Sequence, residues 1–331
     1  MLFNRLGNSP FVSRTPGTFY SRLVANPDLL EFREKLYFFF RGQGDEGHDQ
    51  IGLWSQSITN ADGLTWDTGQ NQPVIEVSTS AEAHDSDHIL DPAATVFDDA
   101  IYLYYTAKSV SRKSDYSIAL ARSRDGVNFE KYVNNPILPG AISPEVIQFQ
   151  GLVYLFFQRH NAVDDYWEVF CRTSEDGINF PESSEKRVFG PSRISDAFDS
   201  HSVATIRIFQ EGDYFYMSFG ACQKFLDYPE SIGMARSSNL MDWERFPGGA
   251  IFSRGNPGSW DEGAVWFPTI HRIKDRYFMW YEGAGTGLGI ASESAKNASS
   301  IARDENYGGY LIDSFSQIGL AFSDEDISQW R

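Results

Sequence analysis

An aspartate fixed in front of a proline opens the hairpin DPAATVFDDAIYLYYTA, Asp91 to Ala107. Counting back ten residues from a tyrosine in the second strand of a hairpin gives a proline in three places: Tyr37 to Pro27, Tyr102 to Pro92 and Tyr154 to Pro144. The residues before those prolines are Asn26, Asp91 and Ser143. Another hairpin reads one residue shorter, with Tyr277 and Pro268, and a further one carries Ala204 at the matching place, closely preceded by Asp199 and His201. Glu262, in SWDEGAVWFP, stands beside Trp260 and Trp266. Carboxylates gathered in an aromatic-walled funnel can have their pKa values pushed apart, so that one gives a proton and another takes one at neutral pH. That is general acid–base chemistry, and strand-end aromatics such as Trp54, Trp167, Trp260 and Trp266 offer platforms on which a sugar ring can stack. Each residue also has a plainer reading. An Asp or Asn before Pro starts turns, Glu262 can accept a hydroxyl, and His201 can fix a neighbouring carboxylate or bind a metal. The stretch HDSDH, His84 to His88, reads as a solvated loop because no third ligand stands at a fixed spacing.

The elements that must position these groups repeat along the chain. Turn segments of one type end at Trp66, Phe129, Phe180, Trp243 and Trp330, and three of them hold an Asp-Gly after an alternating run such as SIALARS. Upstream of each lies another hairpin, so each unit has four strands. Five such units describe an all-β protein, a five-bladed β-propeller of four-stranded antiparallel blades spanning residues 1–331 as one domain. The fifth unit stops at Arg331 without an outer strand, and LFNRLGNSPFV near the N-terminus ends in the same Asn-x-Pro-apolar pattern as NQPVI. Residues 1–12 are therefore expected to pair beside Gln317 to Ser323 and close the ring. The small and polar residues of Gly285 to Tyr310 read as a long loop in the fifth blade, either a lid or a disordered segment. In a propeller the first strand of each blade lines the central channel, which puts Asp91 at the mouth of a funnel.

Composition narrows the partners. Lys and Arg number 28 against 45 Asp and Glu, and the net charge of −17 repels nucleic acid and anionic membrane surfaces. No apolar run approaches the roughly 18 residues of a membrane helix, and the N-terminal stretch lacks a secretory core, so a soluble cytoplasmic protein is expected. Cys171 and Cys222 have no motif spacing and read as reduced thiols. No cofactor is implied, although the polar channel could hold a structural cation.

The five units, the Asp-Pro of the second and the recurring S-x-D-G-x-x-aromatic turn resemble the five-bladed propeller glycosidases of glycoside hydrolase families 43, 32 and 130. Within that group the pattern is most similar to family 130: Asn26-Pro27, YFFFRG, Asp91-Pro92 and SPEVIQFQGLVYLFFQR. The resemblance implies Asp91 as general acid, Asn26 as a sugar contact, and Arg41 and Arg159 as holders of phosphate in a phosphorylase; the residues alone equally allow both arginines to pair with carboxylates. Two departures stand out. The family's Asp-Pro-Arg is Asp91-Pro92-Ala93 here, and the histidine of its Tyr-His-Gly is Glu282. A carboxylate in place of a phosphate donor loses a hydrogen bond and adds repulsion, which favours hydrolysis and supplies an extra acid. The base and acid positions of families 43 and 32 hold Asn26 and Ile142, so chemistry of that pattern would have moved two residues along, to Asp28 and Glu145. The expectation is an inverting hydrolase of a small glycoside, with Asp91 and Glu145 as acid and base and Glu262 or Glu282 as alternates. A phosphorylase and a non-catalytic carbohydrate-binding propeller are the alternatives.

Overall fold

Each Asp-Gly turn is set by its own aspartate. Asp62, Asp125 and Asp176 each accept the two backbone N–H groups two and three residues on, all at 2.8 Å, and Asn239 does the same at 2.9 Å in the fourth unit. The next residue takes a left-handed backbone: Gly63, Gly126 and Gly177, then Leu240 at φ 65°. At Gly126 space also demands glycine, because a Cβ would lie 2.2 Å from the Tyr37 hydroxyl of the neighbouring sheet. These turns fix where each alternating run ends, and so set the register of the sheets.

The structure, a computed structural model, describes residues 2–69, 71–111, 116–224, 226–285, 301–304, 309–312 and 316–327. It is a five-bladed β-propeller of antiparallel sheets. The five innermost strands are Leu23–Phe32, His88–Phe97, Ile142–Phe149, Ser202–Glu211 and Ala264–Ile273. Each pairs with the next strand in sequence, and a third strand completes the regular part of the blade. The fourth strand varies. Lys186–Phe189 fills it in blade three, whereas blades two and four split it into two short pieces, Glu130–Lys131 with Leu138–Pro139 and Glu244–Arg245 with Phe252–Ser253. In blade one it shrinks to two isolated bridges, Ser55 to Asp67 and Ile51 to Ile75. Pro73 and Pro136 stand in those interrupted segments, where a residue without an N–H cannot continue a ladder.

Blade five closes the ring as the sequence predicts. Asn4–Arg5 pairs with Phe322 and Ala321 of Gln317–Ser323, and Val12 bridges Ile318. Arg5 fastens the seam: its Nε lies 2.8 Å from Asp261 Oδ2, which also accepts the Tyr281 hydroxyl at 2.9 Å, and its guanidinium covers the Phe252 ring at 4.2 Å. Five apolar clusters lie between successive blades, for example Phe39, Ile101 and Tyr105 between one and two, and Phe38, Trp280 and Leu320 between five and one. Within Gly285–Tyr310 the strand Ile301–Asp304 pairs with the segment beginning at Gly309, and the rest of that expected loop lies outside the described residues. Among the described residues no helix is long and apolar enough to cross a membrane.

Candidate active site

Every innermost strand is broken once, at the same place. The pairing slips between Ala25 and Asp28, Leu90 and Ala93, Ile142 and Glu145, Ala204 and Arg207, and Trp266 and Thr269. The first extra residue of each bulge is left-handed: Asn26 (φ 47°), Asp91 (52°), Ser143 (49°), Thr205 (51°) and Phe267 (47°). Asn and Asp reach this region at small cost, whereas Ser, Thr and Phe are held there by their surroundings. All five line one cavity of about 770 Å³ at the end of the channel. The bulge therefore turns five strand residues towards one point.

The structure corrects the spacing in two blades. The residue eleven positions after each bulge is Tyr37, Tyr102, Tyr154, Tyr216 and Phe278, with no shortening in blade five. Blade four has two tyrosines on alternate positions, Tyr214 and Tyr216, and counting from the first puts Ala204 in the proline's place, which belongs to Ile206 after the bulge residue Thr205.

A second ring comes from the neighbouring strands, at the residues paired just before each bulge: Arg41, Thr106, Gln158, Gly220 and Glu282. These stitch blade to blade. The Ser143 N–H donates to Thr106 Oγ1 (2.9 Å), Thr205 N–H to Gln158 Oε1 (2.7 Å) and Asn26 N–H to Glu282 Oε2 (3.3 Å). Gly220 has no side chain, and Thr205 Oγ1 serves instead, accepting from Phe267 N–H at 3.1 Å; a Cβ on Gly220 would come within 3.1 Å of that oxygen. At the joint of blades one and two the pattern breaks. Arg41 can only donate, and it stands near the one acidic bulge residue, Asp91.

Asp91 is 8 % exposed and accepts from Ser143 Oγ at 3.2 Å. Burial pushes its carboxyl up, opposed by the charge of Arg41 and by hydrogen bonds from Thr106 and Ser143. Glu282 also accepts from Asn26 Nδ2 at 2.8 Å. The charge of Arg41 acts on both acids, and its Nε bonds Asp49 Oδ1 at 2.6 Å. Burial alone would lower the Arg41 pKa, but Asp49 holds it above its ordinary value; burial alone would likewise raise Asp49, and Arg41 and His88 pull it below the usual range. Trp266 lines the cavity with its Nε1 on the Asp227 carbonyl (3.3 Å) and its ring edge-on to Tyr228 at 5.7 Å. Trp167 faces the same space from blade three.

Directly along the axis lies Arg207, 2 % exposed. It donates to the carbonyls of Pro27 (3.2 Å), Pro92 (2.9 Å) and Pro144 (3.3 Å), one from each of three other blades. Its Nη1 is 3.3 Å from Glu145 Oε2 and its Nε 3.7 Å from Asp28 Oδ1. A guanidinium thus supplies a positive charge on the axis between Asp28 and Glu145. Among the described residues no group of three or more His, Cys, Asp or Glu could hold a metal ion.

The structure thus brings Asp91, Glu282, Asn26, Arg41 and Trp266 together around one cavity. Trp167 lines it as well, and the other expected residues stand apart from it. Asp28 and Glu145 lie on the axis with Arg207, and Glu145 also accepts Ile208 N–H at 2.9 Å. Glu262 accepts the Gly258 N–H in a turn before blade five. Trp260 stacks on Tyr281 at 5.9 Å, and Trp54 on Phe38 at 5.9 Å within the apolar core. Arg159 pairs with Glu185 at 2.6 Å, with its guanidinium over Phe157 and Phe170. His201 precedes its strand, its N–H on the Cys222 carbonyl at 3.1 Å. Sequence reading missed Asp49, Lys108 and Thr205 and read His88 as part of a solvated loop, whereas His88 opens the strand His88–Phe97 beside Asp49; the decisive partners of Asp49 and Thr205 come from neighbouring blades.

No protein-family model and no curated protein matches the chain. Solved structures do. An N-acetylgalactosamine deacetylase from F. plautii, in complex with blood group B trisaccharide, is 14% identical with a TM-score of 0.66, covering 98% of this chain and 96% of that one. A β-1,2-mannobiose phosphorylase from Listeria innocua is 12% identical with a TM-score of 0.68, covering 98% and 97%. A glycosyl hydrolase from Bacteroides ovatus is 15% identical with a TM-score of 0.68, covering 99% and 94%. The chain therefore has the five-bladed fold found in glycosidases and in a mannobiose phosphorylase.

Proposed function

We propose that this chain is a glycoside hydrolase acting on a small oligosaccharide or glycoside, by inversion, with Asp91 as general acid. The observation that carries the reading is Asp91 itself. It is the one acidic residue among five equivalent strained positions, its pKa is raised by burial, and it lines a cavity within the roughly 300–1,000 Å³ of small-molecule sites. A carboxyl that keeps its proton is suited to protonate a departing glycosidic oxygen. Glu282, oriented by Asn26, is the base: it takes a proton from water as that water attacks the anomeric carbon from the opposite face. Arg41 lies between these acids in blade order and balances the charge that develops. Trp167, Tyr228 and Trp266 supply apolar faces for sugar rings.

Hydrolysis is favoured over phosphorolysis because Arg159, the second expected phosphate ligand, is committed to Glu185 away from the cavity. The test is a panel of aryl glycosides and manno-oligosaccharides, with and without phosphate, for the native protein and Asp91→Asn, with the first-formed anomer read by NMR. Phosphate-independent turnover that the variant loses supports the reading. Turnover only with phosphate refutes it, and saturable sugar binding without turnover, unaffected by the substitution, makes the chain a sugar-binding propeller.

A further inference from the structure

The cavity wall built by blades one and two differs from the rest. Arg41, Gln43 and Asp49 reach it from blade one, and His88, Lys108 and Tyr116 from blade two. Register places them: Gln43 pairs with Asp49 across one ladder, and His88 with Lys108 across another. Asp49, 1 % exposed, organises its neighbours by accepting from Arg41 Nε (2.6 Å) and Gln43 Nε2 (3.2 Å), with His88 Nδ1 2.7 Å away. A buried carboxylate with three partners fixes a wall of donors in one geometry.

Lys108 is the member without an anion. Its ammonium lies 5.5 Å from the centre of the Tyr116 ring and makes no ion pair among the described residues. Elsewhere in this acidic chain the half-buried Lys131 meets Asp85 at 2.6 Å. The bland account of Lys108 is a lysine solvated at the rim, yet it stands on the cavity wall beside two basic side chains. Asp49 offsets Arg41 and, with Asp91 protonated as the proposed general acid, Lys108 leaves one uncompensated positive charge among the Arg, Lys and Asp side chains of this wall. Blades three to five contribute Asp227, Glu282 and the remaining aromatics Trp167, Tyr228, Trp266 and Phe267. From this asymmetry we infer that the glycoside carries a carboxylate, as a uronic acid residue does, seated against Lys108 with Tyr116 and His88 beside it. The inference rests on the glycosidase reading and names its substrate class. One positive charge matches a monoanion. A phosphate carries close to two negative charges at neutral pH, and the second would face Asp91 and Glu282.

The experiment compares 4-nitrophenyl glucuronides and galacturonides with the matching glucosides and galactosides, by turnover and by calorimetric binding, in the native protein and Lys108→Gln, with inorganic phosphate as a separate titrant. Removing one charge-assisted contact costs about 10- to 100-fold. The expected result is a preference for the uronides that weakens with added salt and falls at least tenfold in Lys108→Gln. Equal or better handling of the neutral glycosides by the native protein overturns the inference and leaves the glycosidase reading standing. Phosphate binding that needs Lys108, without uronide binding, overturns it in favour of an inorganic anion. If no glycoside of either kind is bound or cleaved, both fail together.

Discussion

On the axis, one guanidinium faces two carboxylates, and that count predicts how stability should change with pH. Burial raises Asp28 to about 6 and Glu145 to about 8, with the Arg207 charge opposing both. At neutral pH the cluster is electrically balanced when Arg207 and Asp28 are charged and Glu145 keeps its proton. The native state then holds a proton that an unfolded glutamate, with a pKa near 4.5, has released. Stability from this group is present in full below about pH 4.5 and is lost as the pH rises towards 8. Each unit of pH in that window costs at most ~1.4 kcal/mol per proton, so the interval from pH 6 to 8 costs about 2–3 kcal/mol. Glu145→Gln keeps the shape and removes the titration. Urea unfolding followed by tryptophan fluorescence at pH 6, 7 and 8 should give a steeper decline for the native protein, with the curves nearest at pH 6 and the variant the more stable at pH 8. Parallel declines, or a variant that loses ground as the pH rises, would refute the balanced cluster and return Glu145 to the list of ionised bases.

Asp91→Asn should lower kcat by about 10²–10⁴-fold on glycosides with poor leaving groups, with far less loss on activated aryl leaving groups that need no proton; comparing the two series checks this. For Glu282→Gln, kcat should fall over the whole pH range and the acidic limb of the pH profile should disappear, because the group that must deprotonate is gone. Arg207→Met leaves Asp28, Glu145 and three proline carbonyls without their shared donor, and a loss of about 3–5 kcal/mol in urea unfolding is expected. Deleting residues 2–12 removes Phe3 and Val12 from the core and exposes the edge of Gln317–Ser323, so a lower melting temperature and self-association by light scattering should appear together.

The blades were legible because turn chemistry is local: an aspartate, a glycine and an aromatic within a few residues announce each one. The ring closure was legible because one edge strand was missing at one end and present at the other. What sequence could not give was partnership across blades. Arg207 is a single arginine in the apolar run SVATIRIF, and nothing near it signals that three prolines from other blades will bring carbonyls to it. Glu145 follows the same proline that the cavity-lining Ser143 precedes, and the bulge places it on the axis instead of in the cavity. The same bulge delivers Asp91 to the cavity, which is why a proline motif found the acid but misplaced the base. Asp49 was invisible as an organiser because His88 lies 39 residues away, on the next blade.

The seam in blade five also has a consequence for the order of events at the ribosome. Asn4–Arg5 is made well before its partner Gln317–Ser323, with four blades made in between. Until then the earliest segment waits as an unpaired edge, and blade five lacks its outer two strands. Closure is thus among the least local contacts the chain can make, and loop-closure entropy makes such contacts slow to form. The nascent chain is most open to wrong pairing just before Gln317–Ser323 is made, when an assembled arc of blades has both edges of the seam bare.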